Sequence, residues 1–269
     1  MPAPLKTEAI VLRSFRYGEA DRILHLYTPA HGRLGAIAKG VRRARSRFGA
    51  RLEPFLHVRL MLHEGRGELH TVTAADTIAA HAALRESALA LTAAAHACDA
   101  VSRLFETQEP HPEVFRLLLS ELALLSAESR QARVANGLAF RLKLLLAAGL
   151  VPQLGACASC GTREQLQSFS AAAGGVVCAS CAGGGFPLDP DAYGFLVAAL
   201  GNSLAQAPEA SERVLRQVER AISETAEHHA HVRLRPLAGF DAYAYGNGPR
   251  PIGARPGVPG IKGSSTLEV

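Results

Sequence analysis

The chain contains no tryptophan and only two methionines among its 269 residues. That scarcity argues against an adaptable, methionine-rich recognition surface. No stretch of about 18 apolar residues occurs, so no membrane-spanning helix is expected. The start, "MPAPLKTEAIVL", has no basic region leading into a long apolar one, and no secretion signal is read there. A cytoplasmic, nucleoid-associated location is the expectation. In such a compartment the five cysteines stay reduced and tend to bind metal or do chemistry. Catalytic signatures are also missing. There is no G-x-x-x-x-G-K-[ST] phosphate loop, no G-x-S-x-G and no H-E-x-x-H. The acids of "EAD" (19–21) are too few for a magnesium site and read as turn residues. "HHAH" (228–231) reads as a solvated helix end. No catalytic residue is assigned, and no nucleotide or membrane is expected as a partner.

Acidic residues are absent from one stretch. Between Lys39 and Arg51 stand Lys39, Arg42, Arg43, Arg45, Arg47 and Arg51, with no Asp or Glu. The asymmetry extends over the chain. Residues 1–80 carry 13 Lys and Arg against 7 Asp and Glu, while residues 81–232 carry 11 against 15. A basic excess gathered on one domain is the electrostatic footprint of a polyanion partner.

What is present divides into β and α periodicity. "LHVRLML" (56–62) alternates, with Leu56, Val58, Leu60 and Leu62 on one face. "EGRGE" then turns the chain back into "LHTVT" (69–73). Residues 8–15, 22–28 and 34–39 are three earlier strands. Five short strands in so few residues predict a barrel, which leaves no open edge. From Ala79 the spacing changes. Leu84, Ser87, Leu91, Ala94, Cys98, Val101 and Phe105 recur at threes and fours, as on one face of a helix. Further helices are predicted over 113–126 and 132–149, with Gly149 as a C-cap. After residue 185, two more follow Asp189 and Ser211 as N-caps. The Gly- and Pro-rich residues 246–269 carry no periodicity and read as a flexible tail.

Cys157, Cys160, Cys178 and Cys181 form C-x2-C-x17-C-x2-C. This spacing predicts one structural zinc ion held by four thiolates, leaving no position for a catalytic water. Two disulfides are opposed by the reducing compartment. A redox C-x-x-C normally needs one pair rather than two. Cys98 falls on the apolar helix face and reads as core.

The motifs together resemble a known family. "TEAIVL" (7–12), "YGEADRILHLYT" (17–28), the Gly32 turn, "AKGVRRARSR" (38–47) and "LEPF" (52–55) are similar to the N-terminal domain of the RecO family, bacterial DNA repair and recombination mediators. "FRLKLLLAAGLVPQLGACASCG" (140–161) and "FSAAAGGVVCASCA" (169–182) resemble that family's helix and zinc finger. The resemblance covers roughly residues 5–240. It implies an α+β multidomain chain: a five-stranded OB-fold barrel, then an α-helical domain with an inserted four-cysteine zinc finger. The expected divisions are 1–78 for the barrel, 79–152 and 186–245 for the helical domain, 153–185 for the finger and 246–269 for the tail. It implies binding of single- and double-stranded DNA and annealing of complementary strands. It also implies a complex with RecR, contact with the single-stranded DNA-binding protein, and help in loading RecA. A non-catalytic RNA-binding or protein-scaffold module is the alternative.

An OB barrel binds strands through a basic groove and stacking aromatics. The expected DNA contacts are Lys39, Arg42 and Arg43 first, then Arg45 and Arg47. Arg13, Arg16 and Arg22 join them, with Phe15, Tyr17 and Phe48 as stackers. Phe55, after Pro54, reads as core, and Arg51 as a partner for Glu53 or the barrel wall.

Overall fold

The computed structural model describes residues 4–43, 46, 48, 50–65 and 67–237. Arg45, Arg47 and the 246–269 tail, all assigned from sequence, lie outside the described residues.

Five strands close a barrel: β1 (Leu5–Tyr17), β2 (Asp21–Thr28), β3 (Gly32–Ala38), β4 (His57–His63) and β5 (His70–Ala79), in the order β1-β2-β3-β5-β4. All pairings are antiparallel except β3 with β5, which is parallel at Ala36↔His70 and Ile37↔Thr71. This is the OB-fold arrangement. The predicted alternation of β4 holds, for Leu56, Val58, Leu60 and Leu62 are all buried. They share the barrel core with Ala9, Val11, Leu24, Leu26 and Leu34. The unbroken apolar run Ala9–Leu12 is explained by its place. Ala9 and Val11 point into the barrel, while Ile10 and Leu12 join the helical core with Tyr27. A strand buried on both faces has no reason to alternate.

Helices follow. The single helix expected from Ala79 is instead the end of β5, a 3-10 turn at Ala82–Glu86, and α1 (Ala88–Leu104). The reason is Ser87, whose extended backbone breaks the run and whose hydroxyl accepts from the Ala90 N–H. The buried face therefore starts at Ala90 and runs through Ala94, Ala97, Cys98 and Val101, while Leu91 is exposed. Next come α2 (Pro112–Ala127) and α3 (Val134–Ala147). Gly149 ends α3 at φ +71°, a left-handed position that favours glycine. Strands β6 (Leu166–Ser170), β7 (Gly175–Cys178) and β8 (Phe186–Pro187) make a small sheet. The helices α4 (Pro190–Gly201) and α5 (Glu212–Ala230) complete the core, capped by the predicted Asp189 and Ser211.

Barrel and helices are packed together. Tyr27 meets Phe105 edge to face at 6.4 Å, and His57 meets Phe115 at 5.6 Å. His57 thus lies on the outer face of β4 yet is buried. Gly32 sits at φ +55°, where a Cβ would lie 2.2 Å from the Glu109 carbonyl oxygen. A side chain there would push the helical domain away. No helix among the described residues is long and apolar enough to cross a membrane.

Candidate nucleic-acid interface and metal centre

The β1–β2 hairpin carries the exposed aromatics. Paired residues share a sheet face, as do residues two apart on one strand. Phe15 pairs Ile23, and Ile23 pairs Ile37, so these lie on one outer face with Tyr17. Phe15 is 44% exposed and Tyr17 54%. The ring of Phe15 rests edge to face on His25 at 5.1 Å. Burial, then Arg33 and Arg13, hold the His25 pKa below its ordinary value. Arg16 is exposed but pairs Arg22, on the face away from these rings. Arg22 lies on the opposite face, donating to Ser14 Oγ and to Glu53 Oε2, both at 3.0 Å.

The basic connector between β3 and β4 is stitched to this hairpin. Asp21 Oδ1 accepts from the Gly40 N–H at 2.7 Å. The Arg42 N–H donates to the Ala20 carbonyl at 2.9 Å, and Arg42 Nη1 to the Glu19 carbonyl at 3.0 Å. The "EAD" acids therefore include an anchor, Asp21, for the loop carrying the opposite charge. Lys39, Arg42 and Arg43 are exposed. Lys39, Arg43 and Arg16 form no ion pair among the described residues.

Two expected contacts are corrected by their surroundings. Phe48 is 2% exposed and packs in the barrel core with Leu52 and Leu56. Its ring is buried in that core, so Phe48 packs the barrel and is not an exposed stacker. Arg13 turns to the helical domain and pairs with Asp99 of α1. Asp99 is buried and also takes Arg103 at 2.7 Å and Arg235 at 3.6 Å. A buried carboxylate requires such partners, and Arg13 is held by that requirement. Asp99 is the residue sequence reasoning passed over, while Asp21 was read only as a turn residue. The one local signal was an acid in the apolar run "HACDAV", four residues before Arg103.

The four cysteines converge. The first pair lies on the turn after α3, where the Cys157 N–H donates to the Thr162 carbonyl and the Gly161 N–H to the Cys157 carbonyl. The second pair ends β7 and enters the next turn. All four sulfur atoms lie within 4.8 Å of one another, with Cys160 and Cys178 at 3.8 Å. Metal–sulfur bonds of ~2.3 Å in a tetrahedron put sulfurs ~3.8 Å apart. The cluster can hold a metal ion. The Cys178 N–H, donating to Cys157 Sγ at 3.4 Å, is the main cause that brings the Cys157 thiol down to about 6. Thiol hydrogen bonds with Cys178 and Cys160 push Cys181 up to about 12. Four thiolates at this separation repel one another, and a divalent cation removes that conflict. Cys98 stands apart, buried in the helical core, its thiol likewise pushed up to about 12 by burial.

The cysteine turns are built into the helical domain. Tyr193 Oη donates to the Leu154 carbonyl at 2.9 Å, and His229 Nε2 to the Ala171 carbonyl at 2.8 Å. Phe169 of β6 and Phe186 of β8 enter the core that α4 and α5 complete. Arg220 of α5 lies 4.1 Å above the Phe186 ring.

Comparison with known proteins follows the same division. Residues 1–81 match the family model for the recombination protein O N terminus, and residues 85–238 that for its C terminus. Curated relatives include the DNA repair protein RecO of Bifidobacterium animalis subsp. lactis, 41% identical over 175 residues, or 64% of this chain and 72% of that protein. The DNA repair protein RecO of Rubrobacter xylanophilus is 39% identical over 224 residues, covering 80% of this chain and 89% of that protein.

Proposed function

The chain belongs to the RecO family of DNA repair proteins, and from that premise we propose that it is a DNA-binding recombination mediator. It binds single- and double-stranded DNA through the barrel and anneals complementary strands. With RecR it helps load RecA onto single strands covered by the single-stranded DNA-binding protein. The observation that carries this reading is the exposed pair Phe15 and Tyr17, on a hairpin hydrogen-bonded to the connector whose Lys39 and Arg43 form no ion pair among the described residues.

The physics is that of sequence-tolerant binding. Every base has a face to stack on an aromatic ring, and every nucleotide a phosphate for a cation. Arg16, Lys39, Arg42 and Arg43 supply the cations, while Phe15 and Tyr17 take bases. Two complementary strands drawn to one positive surface lose mutual repulsion, which favours pairing. No bond is made or broken in this work, and the protein acts without catalysis. The four cysteines hold one zinc ion. With all four ligands from protein, the metal fixes the turns that carry Cys157–Cys160 and Cys178–Cys181.

The test is the triple variant Lys39→Ala/Arg42→Ala/Arg43→Ala. Each lost phosphate contact lowers the salt slope of binding to single strands by ~0.7, so a drop of about 2 is expected. Fluorescence annealing of strands coated with single-stranded DNA-binding protein should slow in parallel, with the thermal melt unchanged. Parent-like affinity and slope in the triple variant would remove the connector from the DNA site.

A further inference from the structure

Lysine is scarce in this chain, which holds Lys6, Lys39, Lys143 and Lys262. Lys6 and Lys39 are exposed on the barrel, and Lys262 lies outside the described residues. Lys143 of α3 is placed differently. It is half-buried beside an open pocket of about 400 Å³ between α2 and the 3-10 turn Leu204–Gln206. Leu117 and Leu124 of α2, with Leu204 and Ala205 of the turn, give the pocket apolar walls. Lys143 is the one charged residue of the lining, and it forms no ion pair among the described residues. Its Nζ instead donates to the Leu200 carbonyl at 3.1 Å, near the end of α4. With no carboxylate to hold the ammonium, burial lowers the pKa of the amine from its ordinary value. Free amine is the nucleophilic form, and desolvation is a general route to an activated lysine.

We propose that Lys143 is a site of covalent acylation, taking a short acyl group from an acyl phosphate or an acyl thioester. The unprotonated Nζ attacks the carbonyl carbon of the donor. A C–N bond forms and the bond from that carbon to phosphate or thiolate breaks. The leaving group departs with the electron pair, and the amine proton goes to solvent. Nothing is oxidised or reduced. The Ser120 and Ser203 hydroxyls already donate to the Arg116 carbonyl at 2.9 Å and to Gln206 Oε1 at 3.0 Å, so the activation comes from the surroundings of the amine. The volume lies within the ~300–1,000 Å³ of small-ligand sites, and the leucine walls suit the alkyl part of an acyl group. The amide product keeps an N–H for the Leu200 carbonyl and loses the charge. Acylation thus turns a cationic pocket into a neutral one without removing the contact to α4.

The test incubates the full chain with acetyl phosphate in one arm and acetyl coenzyme A in the other. Quantitative peptide mass spectrometry follows each lysine. Near pH 8, Lys143 is expected to react several-fold faster than Lys6 and Lys39 with at least one donor, and that arm identifies the donor class. The lead should narrow towards pH ~10.4, where ordinary lysines also lose their proton. It should vanish in urea, which removes the pocket. Ala205→Glu alters an exposed residue and sets a carboxylate on the same pocket, where it can hold the ammonium. That variant should slow Lys143 several-fold and leave Lys6 unchanged. Rates at Lys143 no faster than at Lys6 and Lys39 with both donors overturn the proposal. So does a lead that survives urea, or one that Ala205→Glu leaves untouched.

Discussion

The two halves of the chain both mix paired and unpaired cations, and differ in what surrounds the unpaired ones. In the helical half Arg103, Arg130, Arg133, Arg141, Arg213, Arg216, Arg220, Arg233 and Arg235 each lie within ion-pair distance of a carboxylate. Arg85, Arg116, Lys143 and Arg163 of the same half have no such partner among the described residues; in the barrel Lys6, Arg16, Lys39 and Arg43 have none, while Arg13, Arg22, Arg33 and Arg59 do. Exposed pairs contribute only ~0.2–1 kcal/mol each to stability. Their larger consequence is to cancel charge that a phosphate would otherwise meet. The difference teaches that a count of basic residues locates a polyanion site poorly. What narrows the search is uncompensated charge next to exposed aromatics, as on the connector of Lys39 and Arg43, which is bonded to the hairpin of Phe15 and Tyr17.

The sharpest way to separate the halves is to remove the metal. Isolated zinc modules draw ~10–16 kcal/mol of apparent folding energy from the ion. Here the cysteine turns carry Phe169 and Phe186 into the core of α4 and α5. Elemental analysis is expected to find about one zinc per chain, and Cys178→Ser, or chelation, should abolish it and loosen the helical half. In hydrogen exchange, amides of β6, β7, α4 and α5 should lose protection while β2 and β3 of the barrel keep theirs. Uniform loss across both halves would show the metal to be a global determinant instead.

Next in size is a contrast within the barrel. Phe48→Ala leaves a cavity in the barrel core and should cost about 3–5 kcal/mol of stability. Phe15→Ala removes a ring already 44% exposed and should leave the denaturant midpoint within ~0.5 kcal/mol. Its effect belongs to binding, at ~1–3 kcal/mol on single strands. Two phenylalanines flanked by arginines thus part into a folding residue and a binding residue. A Phe15→Ala protein that melts early and binds normally would reverse the assignment.

That contrast also shows what was legible in the sequence and what was not. The alternation of Leu56, Val58, Leu60 and Leu62, the caps Asp189 and Ser211, and the cysteine spacing are short-range signals, and each matches the structure. Phe48 was misread because a run of arginines says nothing about whether the ring between them packs into the barrel core. Arg13 was misread because its partner, Asp99, lies 86 residues away. Leu91 was placed in the core because hydrophobic period alone does not show that a serine hydroxyl restarts the helix at Ala88.

The smallest prediction concerns the carboxylate that departs from the helical pattern. Glu121 of α2 is buried, its Oε2 has no hydrogen-bond partner, and burial pushes its pKa up to about 8. It lines a narrow cavity between α1 and α3, faced by His96 and by Arg133 and Arg141. A carboxyl with a raised folded-state pKa holds its proton in the native chain and loses it in the unfolded one. Between about 4.5 and 8 the native state therefore binds more protons, and stability falls as pH rises. Glu121→Gln keeps the shape without the ionisation. Its melting temperature relative to the parent should rise from pH 5 to pH 8 and level off above, by a free energy on the order of 2–4 kcal/mol. Burial and Arg141 hold the His96 pKa below its ordinary value, which makes the opposite contribution. That contribution is common to both proteins and cancels in the difference. A variant-to-parent gap that stays constant with pH would mean that Glu121 ionises freely and has a partner in solution.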